Sequence, residues 1–113
     1  MKKIKLNISH PDKSRAEAFL NAINKELEPA PFDWKLLNES TRIVDAVKMI
    51  NTDKTLTITI IFTDSYGDAD HIAKANPLEN STRWGYNGSI MYLVESSDSD
   101  IVDEVVSTFA GKE

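Results

Sequence analysis

The amino-acid sequence predicts an α+β fold, with a mostly antiparallel sheet of four to five strands and two main helices packed on one face. Three observations support this prediction. Short segments alternate apolar with polar residues, two longer stretches repeat apolar residues at helical spacing, and 113 residues that are 41% hydrophobic suffice for one core. The expected order is β-α-β-β-(short α)-β-α, whose nearest common architecture is the ferredoxin-like split β-α-β type. We therefore expect residues 1–113 to form a single α+β domain.

The first third of the chain is predicted to form a strand and then a helix. Residues 3–9 alternate between apolar and polar side chains, as in a strand with one buried face. Ser14 and Glu17 have the spacing of a capping box, which begins a helix. Pro29 prevents that helix from continuing. The apolar stripe of the helix comprises Ala16, Phe19, Leu20, Ile23 and Leu27.

The middle of the chain is predicted to be mostly strand. Residues 32–37 suggest one strand after the prolines, whereas residues 42–50 fit either a helix or the first arm of a hairpin. Their β-branched content and the turn formers at 51–54 slightly favour the hairpin. The second arm, residues 56–62, places threonines on its other face. We expect that face to be wet or covered by a polar layer, with a sheet-to-sheet dimer as the alternative.

A second hairpin is predicted near the C-terminus. Residues 64–71 have the composition of a polar turn, which leads into a short helix over residues 72–75. The pair Asn87-Gly88 then lies between strand formers, and such a pair is the strongest short-range signal for a hairpin. The arms of this hairpin are expected to be residues 82–86 and 89–95.

The last predicted element is an amphipathic helix that carries much of the acidic charge. Residues 1–57 contain ten Lys/Arg and eight Asp/Glu, whereas residues 58–113 contain three and ten. Several of these acids lie near the start of the helix, where its dipole favours negative charge. We expect Ser97 or Ser99 to cap the helix and Gly111 to end it. Its apolar stripe comprises Ile101, Val102, Val105, Val106 and Phe109.

Composition excludes several classes of function. Because the chain contains no cysteine, disulfides, thiolate metal sites and thiol nucleophiles are excluded. It carries no Walker or dinucleotide fingerprint and no basic stripe, so we expect no cofactor and no nucleic-acid partner. No apolar run approaches the ~18 residues of a membrane span, and the basic start lacks the apolar region of a signal peptide. We therefore expect a cytoplasmic protein without membrane partners.

One polar cluster has the composition of a cation site. Asp64, Asp68, Asp70 and His71 are the candidate ligands for a divalent cation or a small molecule, although their spacing matches no EF-hand loop. A turn followed by a capped helix explains most of these residues without a ligand, and we favour that interpretation. A carboxylate with His71 also has the composition of an acid–base pair. No nucleophile motif surrounds it, so we predict no catalytic residue.

A second candidate site lies in the arm of the C-terminal hairpin. Arg83, Trp84, Tyr86 and Asn87 combine residue types that are enriched where proteins bind one another. Trp84 and Tyr86 are two positions apart, so they share a face if the arm is extended. The commoner role of such rings is to cover the sheet as cross-strand partners. We therefore predict these four residues as a binding site, with that structural role as the alternative.

These observations predict a small, acidic, non-enzymatic module with a net charge of −5. We expect it to bind or regulate through protein–protein contacts, and a second copy of the chain, forming a homodimer, is one candidate partner. The alternative function is binding of a small ligand or a divalent cation at the turn formed by Asp64–His71. Enzymatic activity ranks third, because the residues that catalysis needs are not brought together by any motif.

Overall fold

The computed structural model describes residues 4–23, 26–76 and 82–110, which form three α-helices, five strands and two short 3₁₀ turns. The predicted α+β class is confirmed. In chain order the elements are α1 (Lys13–Ala22), β1 (Leu27–Ala30), the 3₁₀ turns Trp34–Leu36 and Ser40–Arg42, β2 (Ile43–Asn51), β3 (Leu56–Thr63), α2 (Tyr66–Ala75), β4 (Thr82–Asn87), β5 (Ile90–Ser96) and α3 (Ser99–Ala110).

The five strands form one sheet in the order β1-β2-β3-β5-β4, and all neighbouring strands are antiparallel. β3 and β4 therefore run parallel to each other, joined through α2, with β5 between them. β3, α2 and β4 thus form one β-α-β unit whose two strands are separated by β5. The ferredoxin-like order is not confirmed, because the remaining strands, β1 and β2, extend the sheet by antiparallel pairing on the far side of β3.

The N-terminal segment, residues 4–8, alternates between inward and outward side chains but pairs with no strand among the residues that the structure describes. Its backbone is held instead by side chains of α1. Asn21 Oδ1 accepts the Ile4 N–H at 2.6 Å, and Glu17 Oε2 accepts the Leu6 N–H at 2.7 Å. The predicted first strand is therefore wrong: polar side chains of a helix satisfy backbone groups that a neighbouring strand would otherwise satisfy.

Helix α1 is shorter than predicted and begins two residues earlier, with Asp12 instead of Ser14 at the cap position. Ser14 is its second residue and Glu17 bonds the N-terminal segment, so the predicted capping box is wrong. Leu27, expected in the last turn of the helix, opens β1 and pairs with Asn51. Pairing with β2 replaces that turn. The other members of the predicted stripe are buried as expected, namely Ala16, Phe19, Leu20 and Ile23.

The segment at 32–37 is not the predicted strand. It contains a 3₁₀ turn, Trp34–Leu36, which begins where the Asp33 side chain accepts the Lys35 N–H at 3.1 Å. A short carboxylate that bonds its own downstream backbone competes with extended structure, which explains the difference.

The hairpin of β2 and β3 confirms the favoured interpretation of residues 42–50. Asn51 Oδ1 accepts the N–H groups of Thr55 and Leu56 at 2.9 and 3.0 Å, which closes the turn. Lys54 has a positive φ of 58° in this turn. A register shift between Ile43 and Asp45 marks a bulge near the start of β2.

The sheet has a core cluster on each face, so the prediction of helices on one face is correct for α1 and α3 and incomplete for α2. The larger cluster joins α1 and α3 to the even-numbered residues of β3, and includes Phe19, Leu20, Leu56, Ile58, Ile60, Phe62, Val94, Val105 and Phe109. The smaller cluster packs α2 against the opposite face, through Ile43, Ile61, Ala69, Ile72, Ala73 and Met91.

The threonine face of β3 is less wet than expected. Ile61 interrupts its threonines and provides the apolar contact on which α2 packs. Thr63 is fully buried, and its hydroxyl oxygen lies 2.8 and 2.7 Å from the carbonyl oxygens of Ser65 and Ser89, to either of which it can donate its one hydrogen. Thr59 is also buried and Thr57 is partly buried. Together with Ile43 and Met91 on the neighbouring strands, Ile61 gives this face the apolar surface on which α2 packs.

Helix α3 begins at Ser99, and Asp98 occupies the capping position that was predicted for Ser97 or Ser99. The Asp98 carbonyl accepts the Val102 N–H at 3.2 Å, and its carboxylate accepts the Asp100 N–H at 2.9 Å. The predicted stripe faces the core, and Gly111 lies outside the described residues. None of the helices in the described part of the chain is both long and apolar enough to cross a membrane.

Candidate functional site

The hairpin of β4 and β5 is confirmed, but its loop is displaced by one residue from the prediction. Asn87 pairs with Ile90, so the two loop residues are Gly88 and Ser89. Gly88 has a positive φ of 65°, a conformation that glycine adopts without steric cost. Asn87 therefore ends the first strand instead of opening the turn.

All four residues of the predicted binding site lie on β4, the outer strand of the sheet. In the part of the chain that the structure describes, β4 has a neighbouring strand on one side only. Trp84 lies on the face on which α2 packs, whereas Arg83 lies on the opposite face. Trp84 is 39% exposed, which is high for a large apolar side chain in a strand.

The backbone of β4 presents a row of hydrogen-bonding groups on its outer side. Residues that flank a two-residue loop exchange both backbone bonds, and such pairs alternate with pairs whose groups point away from each other. Since Asn87 pairs with Ile90, the backbone groups of Arg83, Gly85 and Asn87 point towards β5. The groups of positions 82, 84 and 86 therefore point outwards.

Strand β4 lacks the features that usually protect an outer strand. Its register with β5 is unbroken over six residue pairs, and its sequence, TRWGYN, contains no proline and one charge. β1, at the other edge of the sheet, has four residues and includes both Glu28 and Pro29. Short length, charge and proline discourage an edge from pairing with another chain. Of the two edges, β4 is thus the one suited to receive a further strand.

Gly85 and Tyr92 fix the position of β4 on the sheet. A Cβ atom built on Gly85 would lie 2.5 Å from the Tyr92 hydroxyl oxygen, so the tyrosine ring occupies the space of a side chain there. The same ring stacks on Phe109 of α3, with centroids 4.3 Å apart. Burial raises the pKa of Tyr92 above its usual value, and the charge of Arg83 opposes this shift. The Tyr92 ring, which packs on Phe109, therefore holds β4 in place on the sheet.

The charged residue of β4 is paired within its own chain. Arg83 Nη1 donates to Asp103 Oδ1 of α3, and both side chains are more than half exposed. An ion pair in such an environment contributes little to stability, since water screens it. Its effect is to direct the guanidinium towards α3.

The predicted cation ligands are not brought together. α2 begins at Tyr66, six residues before the predicted start, because Ser65 accepts the Asp68 N–H at 3.2 Å and caps the helix. Asp68 and Asp70 consequently lie within the helix, which replaces most of the predicted turn. His71 and Asp64 are exposed. The described residues contain no group of three or more His, Cys, Asp or Glu arranged to hold a metal ion. The cation site stays a prediction without geometric support.

Two of these carboxylates are engaged in separate ion pairs. Asp68 Oδ1 accepts from Arg42 Nη1 at 2.8 Å, and Asp70 Oδ2 lies 2.8 Å from Lys74 Nζ. Hydrogen bonds to Asp68 and then Glu39 raise the pKa of Arg42, and the bond to Asp70 raises that of Lys74. The first contact connects α2 to the 3₁₀ turn Ser40–Arg42, and the second joins successive turns of α2.

A polar cluster around His10 was not among the sites predicted from the sequence. The ring is buried, lies 5.1 Å from Phe62 between centroids, and its Nε2 is 2.9 Å from the Thr63 carbonyl oxygen. Nδ1 accepts the Asp12 N–H at 3.0 Å, and the Asp12 carboxylate accepts the Ser89 hydroxyl. Both ring nitrogens are occupied by backbone groups, so the cluster connects the N-terminal segment to the sheet and is not arranged as a general base.

A groove of about 350 Å³ lies between the N-terminal segment and the middle of β2. The Asp45 carboxylate accepts the Ala46 N–H at 2.8 Å and so covers a backbone donor of β2 beside it. The groove is lined by Lys5, Leu6, Asn7, Ile8, Pro29, Ala30, Phe32, Asp45, Ala46, Val47, Lys48 and Met49. The part of β2 that does not pair with β1, residues 43–47, carries the Asp45 carboxylate over a backbone donor and a bulge. It is therefore a weaker candidate than β4 for pairing with a further strand.

Comparison with known proteins assigns no class to this fold and site. No family model matches the chain, and neither a curated protein sequence nor a solved structure matches it significantly.

Proposed function

We propose that this chain is a non-enzymatic binding module that contacts a protein partner through the outer edge of β4. The observation that carries the proposal is an outer strand of six residues, without proline or bulge, whose partner-facing backbone groups are aligned in one row. Addition of a strand is a recurrent mode of recognition, in which backbone bonds provide affinity and alternate side chains provide specificity.

The side chains of β4 support the same proposal. Trp84 offers a large surface that loses little conformational entropy when it is covered. Tyr92 and Phe109 support the strand from the opposite face, so the edge is ordered before a partner arrives. Preorganisation of this kind reduces the entropic cost of binding.

The proposal includes a cytoplasmic location, with which a chain free of cysteine is compatible. Fractionation of cells that express a tagged full-length chain tests the location. A tagged chain found only in the membrane or secreted fraction would contradict it.

Affinity capture with matched variants tests the proposed surface. Trp84→Lys places a charge on the edge, and Leu36→Lys places the same charge at a residue that is 83% exposed in a 3₁₀ turn. We expect the unmodified chain and Leu36→Lys to capture the same protein, which can include the chain itself, and Trp84→Lys to lose it at least tenfold. Circular dichroism confirms that each variant is folded.

Two outcomes of this experiment would contradict the proposal. Equal capture by the folded Trp84→Lys variant would show that the partner binds elsewhere. Loss of capture by both Trp84→Lys and Leu36→Lys would show that any added charge prevents binding, wherever it lies on the surface.

A further inference from the structure

Resting on the proposed function, we infer that the partner strand is β4 of a second copy of this chain, paired antiparallel across a two-fold axis at Gly85. Two identical strands that pair by a two-fold axis present the same surface to each other, so the strand must be complementary to itself. The sequence and register of β4 satisfy this requirement.

The axis must pass through a residue position, because only then do residues of the same face lie opposite one another. With Gly85 on the axis, Trp84 of one copy lies opposite Tyr86 of the other, and this pair occurs twice. Aromatic residues that face each other across two strands stabilise the pairing. On the other face, Arg83 lies opposite Asn87 of the second copy.

The backbone alternation of β4 fits this register. Positions 84 and 86 point outwards and would exchange hydrogen bonds with positions 86 and 84 of the second copy. Position 85 would lie opposite itself in a pair without hydrogen bonds, where the two Cα atoms approach most closely, to about 4.5 Å. That position is occupied by glycine, the residue with the least bulk, and the Tyr92 ring covers its inner face.

Charge is also compatible with a second copy in this register. Arg83 is the charged residue of β4, and an axis at Gly85 places it opposite Asn87 instead of opposite the other Arg83. Like charges directly opposite each other on neighbouring strands would destabilise the pair. The Arg83 side chain is also directed towards Asp103 of its own copy.

The contact between two β4 strands would be small, which is typical of weak and transient interfaces. One pair of six-residue strands lies at the low end of specific interfaces, which are typical of transient complexes. We therefore expect a reversible dimer with a dissociation constant of ~10 µM. Sedimentation velocity of the unmodified chain, over concentrations that bracket this value, should show a monomer–dimer equilibrium that Trp84→Lys shifts to monomer.

Cysteine cross-linking tests the register, and it is unambiguous because the chain has no cysteine of its own. Positions 83 and 87 would form a close pair without hydrogen bonds, which lies within disulfide range. We expect a mixture of folded Arg83→Cys and Asn87→Cys chains to form a disulfide dimer several-fold faster than either chain alone. Leu36→Cys serves as the control for random collision.

The outcomes separate this inference from the proposed function. Pairing between two copies is overturned if the unmodified chain stays monomeric. It is also overturned if the mixture of Arg83→Cys and Asn87→Cys chains cross-links no faster than Leu36→Cys. If capture of another protein still depends on Trp84 in that case, the proposed function stands with a different partner strand. If that capture is also absent, both the inference and the proposed function fail.

Discussion

At the scale of single residues, Gly85 and Tyr92 connect the core to the outer edge of the sheet. The Tyr92 ring stacks on Phe109 and its hydroxyl lies over the backbone of Gly85. A side chain at position 85 would therefore compete with the ring for the same space. The sequence contained the glycine, but its role depends on a cross-strand register that one sequence does not specify.

Substitution of Gly85 should destabilise the fold. We expect Gly85→Val to lower the free energy of unfolding by about 1–3 kcal/mol, the usual cost of overpacking, as measured by urea denaturation. Gly67→Ala is the matched control, because its Cβ would lie 3.7 Å from Ser65 Oγ at an ordinary contact distance. If the two variants were equally stable, the Tyr92 contact would not constrain β4.

Burial of Tyr92 predicts a loss of stability in alkali. Its pKa is raised in the folded state by desolvation, so the unfolded chain releases this proton first, at a pH near the usual value of about 10. Between the unfolded and folded pKa values the unfolded state binds fewer protons, and the free energy of unfolding falls as the pH rises. Below pH 10 the contribution is fully present.

Urea denaturation between pH 9 and 11 measures this dependence. We expect the decline to be shallower for Tyr92→Phe than for the unmodified chain. An identical decline in the unmodified chain and Tyr92→Phe would assign the effect to other groups that titrate in the same range.

At the scale of elements, local patterns predicted the existence of helices and hairpins better than their ends. The stripes of α1 and α3 and the turn of β2 and β3 follow from spacing and turn formers, which act within a few residues. Helix starts depended on which of several short polar side chains reached a free N–H. For α3 this is Asp98, one residue from either predicted serine.

Two alanine substitutions test that assignment. Asp98→Ala removes the carboxylate that accepts the Asp100 N–H and should cost about 0.5–2 kcal/mol of folding stability. Ser99→Ala lies at the first helical position and should change stability by less than ~0.5 kcal/mol. Thermal or urea denaturation compares them. A larger loss of folding stability for Ser99→Ala than for Asp98→Ala would show that Ser99, and not Asp98, caps α3.

At the scale of the whole molecule, the sheet order could not be read from the sequence. Strand pairing is decided by contacts between distant residues, and the N-terminal segment shows how alternation alone misleads: its partner is α1, and no strand pairs with it in the described chain. The candidate residues of β4 were found through their composition and the adjacent hairpin. Their place at the edge depends on β5 lying between β3 and β4, which no local pattern reports.

The charge of the whole chain predicts how salt affects self-association. Each copy carries a net charge of −5, so two copies repel each other at long range. Salt screens that repulsion, and backbone bonds and aromatic contacts at β4 are less sensitive to it. We expect the dissociation constant of the dimer to fall several-fold between ~50 mM and ~500 mM NaCl in sedimentation experiments. Weaker association at high salt would indicate a contact held by ion pairs instead.

Hydrogen exchange at the outer edge of β4 tests the central claim most directly. In a dilute solution the amides of Trp84 and Tyr86, which point away from β5, should exchange faster than those of Arg83 and Gly85, which point towards β5. Raising the concentration of the unmodified chain through the dimer range should protect the amides of Trp84 and Tyr86 and leave the other two unchanged. Exchange at Trp84 and Tyr86 that is independent of concentration, while dimer is present by sedimentation, would contradict the account.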